Sequence, residues 1–366
     1  MNDSYKGARI ADTRIGKDIP VDELIDKYFS AYNGARLAES CKLLQRKILQ
    51  DDVYLGVSLS GALTPTGLGS TALATWIENG WIDYIVSTGA NLYHDLHFGL
   101  DLPLHQSTPF VDDVKLREQG LIRIYDIIFD FEVLSRSDKY LYHVMMQPEF
   151  DKQMGSAELH HLLGKYVDET EKKTGCQGKT ILGAAYRNGV PCFCPSPGDS
   201  TIGLNIAALS FDHSHPKIDP NADVQDSTAI AYQAKTNGKS AVLILGGGSP
   251  KNFLLQTIPL LDEIMEIHVK GHDYFIQITD ARPDTGGLSG ATPWEAVSWG
   301  KVDPDTVPDS IVCYTDTTIA LPLMTAYLLN RSGPRKPKRL IDRRQELLKI
   351  LADQSNEVKK TKNEFK

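Results

Sequence analysis

The sequence predicts one doubly wound α/β domain, a mainly parallel sheet behind a helical N-terminal extension. Three observations carry this. Short apolar, β-rich runs recur at 53–59 (VYLGVSL), 83–88, 121–127, 190–194, 241–246 (AVLILG), 274–279 and 310–315. Helical patterns such as GSTALATWIENG and KNFLLQTIPLLDEIMEI lie between most of them, which is the alternation of a parallel sheet. The runs are also continuously apolar, as strands covered on both faces must be.

Residues 1–50 read as the helical extension. Pro20 suits a first helical turn, and VDELIDKYFSAYNGARLAESCKLLQRKIL keeps a helical period. Residues 51–330 hold the strands and form the expected catalytic body. Within them, SFDHSHPKIDPNADVQD (210–226) reads as a long polar loop near a site, and HHLLGKYV (160–167) as helix, with His160 and His161 structural. Residues 331–366 form a basic tail whose LIDRRQELLKILADQ reads as an amphipathic helix, either solvated or in an oligomer contact.

Charge narrows the partners. The tail has 12 lysines and arginines against 5 acidic residues, a surplus of 7, so with −8 overall the rest carries −15. An acidic body argues against nucleic acid and suits cationic substrates. No apolar run approaches the ~20 residues of a membrane span. The start, MNDSYKGARIADTRIGKD, lacks an apolar stretch, so no signal peptide is expected and the cytoplasm is the expected location. Cys41, Cys176, Cys192, Cys194 and Cys313 have no Cys or His at metal-site spacing beyond one C-x-C, so buried free thiols are expected and no metal.

In AVLILGGGSPKNF, Gly246, Gly247 and Gly248 join a buried strand to a helix. Two readings stand: a backbone that approaches a phosphate at a helix N-terminus, or a tight strand-to-helix turn. The spacing is not G-x-G-x-x-G. STGAN (87–91) and SPGDST (196–201) also end strands with small polar residues, and ligands of open α/β sheets bind outside such ends. Asp199 reads either as a ribose hydroxyl acceptor or as a turn residue. Lys301, in EAVSWGKV, has two readings as well. Its stem can simply pack on Trp299, or desolvation can make it an amine nucleophile.

Taken together, STGANLYHD (87–95), HHLLGKYV, SPGDSTIG (196–203), LGGGSPKNF (245–253) and EAVSWGK (295–301) resemble the deoxyhypusine synthase family, over about residues 20 to 330. The resemblance implies a Rossmann-like fold and a homotetramer with NAD sites at dimer interfaces. It also implies oxidation of a polyamine by NAD, capture of an aminobutyl group as an imine on a lysine, and transfer to an acceptor amine. That acceptor is a protein lysine, or putrescine in the related homospermidine synthases. By resemblance Lys301 is the imine-forming lysine, and Trp299, Glu295, Leu288 and Gly286 belong to the substrate side. Thr88, Asp199, Gly247 and Asp316 fall at NAD-contacting positions, with Gly89, Gly246, Gly248 and Thr317 beside them. An imine needs a neutral amine. Lowering a lysine from ~10.4 to about 7–8 costs roughly 3–5 kcal/mol, which an apolar closed pocket can supply.

The chain departs from the family where amines are held. Tyr93 and His94 replace paired glutamates, Leu204 or Asn205 an aspartate, Leu288 another, and Gln277 a tyrosine; Asn252 stands for the proton-abstracting histidine. Buried ammonium groups need carboxylate partners, so another amine or other carboxylates (Asp95, Asp280, Asp284, Glu295) are expected. His94 is the candidate to move the proton, with a neutral hydrogen-bonding role as the alternative. Lys165 and Lys251 rank below Lys301 as nucleophiles. The expected function is therefore a deoxyhypusine synthase-like, NAD-dependent alkylamine transferase. The lost carboxylates count against a protein lysine as acceptor and favour a small amine. An amine dehydrogenase or a non-catalytic NAD-binding protein are the other classes.

Overall fold

The computed structural model describes residues 6–10, 12–213 and 216–364. Part of the N-terminal reading (1–5), two positions of the polar segment (214–215) and the last two residues lie outside the described residues. In chain order the principal elements are α1 (Val21–Tyr28), α2 (Tyr32–Leu43), β1 (Val53–Leu59), β2 (Tyr84–Ser87), α3 (Gly89–Gly99), α4 (Phe131–Met145) and α5 (Ser156–Thr174). Then come β3 (Cys192–Phe193), α6 (Thr201–Leu209), α7 (Pro220–Asn237), β4 (Lys239–Leu245), α8 (Gly248–Leu255), β5 (Tyr274–Thr279), α9 (Pro293–Ser298), β6 (Ser310–Tyr314), α10 (Thr317–Arg331) and α11 (Arg344–Glu364).

The sheet order is β6-β5-β4-β1-β2-β3, with every pair parallel. This is a doubly wound sheet whose order reverses between β1 and β4, the place where such folds open a crevice. Alternation along the strands feeds two cores. Leu55, Val57, Leu243 and Ile276 enter one; Tyr54, Val242, Ile244 and Phe275 enter the other. Each fully buried side chain of this kind contributes about 1.5–3 kcal/mol, and both faces being covered is why the runs lack polar alternation.

The run 121–127 departs from expectation. Leu121–Ile124 turns at Tyr125, which has φ +52, and returns as Ile127–Asp130 in a separate antiparallel sheet with His105–Gln106. Its residues are mostly half-buried, over a small cluster of Leu102, Phe129 and Val133, so a one-sided hairpin forms where a two-sided strand was expected. The polar segment 210–226 is also shorter as a loop, because Asp219 accepts from Asn221 N and Pro220 opens α7.

Both ends pack on the body. In α2, Leu37, Ala38 and Cys41 join the main core. On the C-terminal side the Arg335 guanidinium is buried, donating to Val53 O, Gly80 O and the buried Asp83 carboxylate. Leu347 and Leu351 bury the apolar face of α11, while Arg344 pairs with Asp226 at 2.6 Å and Glu158 at 3.0 Å. The start of the basic tail helix is thus docked on acidic groups of the body, while its opposite face stays exposed. No helix among the described residues is long and apolar enough to cross a membrane.

Candidate active site

The carboxyl ends of the strands gather most of the candidate residues. After β2, Thr88 caps α3 and donates to Gly61 O at 2.6 Å. Asn91, one turn on, accepts from Leu63 N and donates to Thr88 Oγ1. The ends of β1 and β2 are therefore stitched together beside Gly89. Asp199, after β3, is exposed and makes no side-chain hydrogen bond among the described residues. Asp316, after β6, caps α10 and accepts from Thr318 N at 2.7 Å, next to half-buried Thr317.

The glycine turn lies at the switch point. Gly246 and Gly248 have φ of +87 and +61, which favours glycine. At Gly247 a Cβ would fall 2.5 Å from the Ser289 Cα. Gly247 N donates to Ser60 Oγ and Gly248 N to Ser289 Oγ, both at 2.9 Å. What approaches this turn closely is a pair of serines of the same chain. The strand order, the polar strand ends and the free Asp199 carboxylate fit a dinucleotide at this edge. The N–H groups of Gly247 and Gly248 are already engaged, so they do not form the phosphate cradle of a G-x-G-x-x-G turn.

Beneath the turn, Lys251 is buried, donating to Gln277 Oε1 (3.0 Å) and Ala291 O (2.6 Å). Gln277 in turn donates to Gly246 O and Ser289 O. The departure from tyrosine at Gln277 thereby acquires a reason: its amide ties the glycine turn to the 286–291 segment. Leu288 and Gly286 in that segment are exposed, as is Glu295.

Lys301 is placed by the local chain. Thr292 Oγ1 accepts from Glu295 N and Pro293 follows it, which starts α9; Gly300 at φ +67 stops it after six residues. Lys301 then turns back, its N bonded to Ala296 O and its carbonyl accepting from His272 N, both at 3.0 Å. The Lys301 Nζ donates to Asn252 Oδ1 at 3.1 Å and lies 5.5 Å from the Trp299 ring centroid. Asn252 is four residues beyond Gly248 on α8, about 6 Å along the helix. Burial lowers the Lys301 pKa, opposed by the Glu295 and Glu263 carboxylates. Trp299 is 60% exposed, so the chain alone does not close a dry indole wall over the amine.

Three lysines can be compared directly. Lys165 is half-exposed and bonded to Glu149 at 3.0 Å, which raises its pKa. Burial brings Lys251 down to about 8, lower than its sequence context suggests, but it is enclosed by its two acceptors. Only Lys301 combines a lowered pKa with access, since it opens on a cavity of about 330 Å³ between α7, the 253–264 segment and Trp299.

The altered positions form their own cluster. Tyr93 donates to Asp138 Oδ1 at 2.8 Å, and Asn205 Nδ2 donates to the same oxygen at 3.0 Å. His94 Nδ1 meets His97 Nε2 at 3.1 Å, and His97 Nδ1 meets Ser137 Oγ at 2.8 Å. Burial lowers the His94 pKa and takes that of His97 to about 3, so the pair is neutral. Within one chain His94 is therefore not brought to Lys301. Its neighbours are on α3, α4 and Phe129, while those of Lys301 are on α8 and α9. The neutral hydrogen-bonding histidine is what the chain displays. Leu204 is exposed. Asp95 turns inward to accept from Ile181 N, and Asp284 is paired with Arg282. Sequence reasoning missed Asp138 and Glu263, which look like ordinary charges on helical faces. His160 is buried and bonded to Cys192 O at 2.7 Å, and all five cysteines are free and buried.

A family model described as deoxyhypusine synthase matches residues 23–328. A "Deoxyhypusine synthase-like protein" of Nostoc punctiforme is 58% identical over 343 residues, covering 93% of this chain and 88% of that protein. A "Probable deoxyhypusine synthase 2" of Methanosarcina acetivorans is 35% identical over 326 residues, covering 87% and 90%. Among solved structures, the "putative deoxyhypusine synthase from Entamoeba histolytica" shares the fold with a TM-score of 0.53 at 14% identity, over 88% of this chain and 97% of that one.

Proposed function

The chain belongs to the deoxyhypusine synthase family, and from that premise we propose that it is an NAD-dependent transferase of alkylamine groups, with Lys301 as the covalent carrier. The observation that carries this is the state of Lys301: an accessible amine, partly desolvated, with one neutral hydrogen-bond partner in Asn252. A neutral partner leaves the amine free to lose its proton, where a carboxylate would hold it.

NAD, when bound, would take up and return the hydride. Thr88, Gly89, Asp199, Gly246, Gly247, Gly248, Asp316 and Thr317 are the proposed residues at its edge of the sheet, with Asp199 offering its free carboxylate to a ribose hydroxyl. Lys301 accepts the aminoalkyl group as an imine and passes it to an acceptor amine. Trp299, Glu295, Leu288 and Gly286 border the amine. The acceptor we favour is a small amine, because Tyr93 and Asn205 occupy with Asp138 the region where the family's carboxylates are expected. A homotetramer with sites at dimer interfaces is part of the proposal. Leu204, Leu288, Trp294, Trp299 and Ile319, all on segments that carry candidate residues, are exposed apolar side chains that a partner would cover.

The test is borohydride trapping with NAD and labelled spermidine, putrescine or agmatine, on wild type and Lys301→Ala. A Lys301-dependent adduct without net NADH supports transfer. Net NADH would indicate a dehydrogenase, and no adduct with any amine would remove the imine.

A further inference from the structure

The cavity that reaches Lys301 carries a second charged group that the proposed chemistry does not use. Its volume, about 330 Å³, suits a small ligand. The walls are mostly apolar, with Phe253, Ile264 and Trp299 among them, and the charged side chains lining it are Lys301 and Glu263. Glu263 is exposed and makes neither an ion pair nor a side-chain hydrogen bond among the described residues. Thr228, on α7, lines the same cavity; it is 1% exposed and its Oγ1 has no partner among the described residues.

We propose that this cavity is the acceptor subsite, that it takes a primary diamine, and that Glu263 holds the diamine's far ammonium while the near nitrogen reaches Lys301. The methylene chain lies along Phe253, Ile264 and Trp299. The carboxylate then supplies from α8's continuation the charge partner that Tyr93, Leu204 and Leu288 do not. This rests on the imine reading of Lys301. In the transfer step the entering neutral amine forms a new C=N bond to the carried carbon and the C=N bond to Lys301 breaks. Two hydrogens pass from the entering nitrogen to the Lys301 nitrogen, which returns to a primary amine; no oxidant is needed.

Putrescine and butylamine, equal in carbon number and different in one nitrogen, separate the possibilities. Wild type, Glu263→Gln and Glu263→Asp are compared by calorimetric binding and by acceptor kinetics. Glu263→Gln is expected to weaken putrescine about tenfold, in binding and in KM, with kcat near wild type and butylamine unchanged; Glu263→Asp should recover part of the loss. Equal putrescine binding in wild type and Glu263→Gln overturns the subsite, as does an equal loss for butylamine. If wild type forms no Lys301 adduct yet binds putrescine through Glu263, the cavity is a diamine site and both the imine and the acceptor role fall. If adducts form and Glu263→Gln changes nothing, the imine stands and the subsite falls.

Discussion

Lys301 Nζ lies 3.1 Å from Asn252 Oδ1, and the Asn252 amide nitrogen is held by Gln256 Oε1 at 2.7 Å. The amide is thus oriented with its oxygen toward the lysine, at the position where the family resemblance leads one to expect histidine. A neutral acceptor here stabilises the ammonium less than a carboxylate does. Asn252→Asp is expected to raise the Lys301 pKa by about 1, moving the pH profile of borohydride-trapped adduct upward by the same amount. Asn252→Leu should move it downward. Mass-spectrometric labelling of Lys301 against pH measures both, and an unmoved profile in Asn252→Asp would refute the coupling.

The glycine turn makes a structural prediction. Gly247→Ala must displace Ser289 backbone, whereas Ser289→Ala only leaves the Gly248 N–H without its acceptor. Urea unfolding should rank them in that order, with losses of about 2–3 kcal/mol for the first and about 1 kcal/mol for the second. The reverse ranking would mean that the turn relaxes freely.

Six of the seven β-rich runs are legible in sequence because burial on both faces removes polar residues from a strand. Strand order is not, since nothing local to Val53–Leu59 says that Lys239–Leu245 is its neighbour. The hairpin at 121–130 is misread for a related reason: LIRIYDI has strand composition, while its reversal depends on one left-handed residue, Tyr125. At the site, EAVSWGK announces Lys301, and Thr292, Pro293 and Gly300 explain its placement from local chemistry. The enclosure of Lys251 and the convergence of Tyr93 and Asn205 on Asp138 depend on contacts 26 to 67 residues apart, which no local pattern encodes.

Lys251 gives a pH signature. Burial brings its pKa to about 8 in the folded chain, from the ordinary lysine value of 10.5. Between those values the unfolded chain binds the extra proton, so stability rises with pH. The contribution grows by about 1 kcal/mol from pH 7 to 9. Lys251→Met should lower overall stability and lack this rise, and the difference between the two proteins isolates it from other titrating groups. Parallel pH curves for both would show that Lys251 is not buried with its charge.

The Tyr93–Asp138 bond sets the terms for restoring a family carboxylate. Tyr93 O–H donates to Asp138, and Asn205 donates to the same oxygen, so one Asp138 oxygen accepts from two donors. Tyr93→Glu removes one donor and places a second carboxylate beside the first. Like charges in a half-buried site raise a pKa or separate, at an expected cost of about 1–3 kcal/mol. Asp138→Asn removes the repulsion and lets its amide donate to the new glutamate. The double variant Tyr93→Glu/Asp138→Asn is therefore expected to be more stable than Tyr93→Glu alone, with a coupling of about 1 kcal/mol or more. Denaturant unfolding of the four proteins of the cycle measures this. Spermidine binding should improve only in the double variant, because only there is the new carboxylate ionised and unopposed. Additive stabilities would show that Asp138 does not control this position.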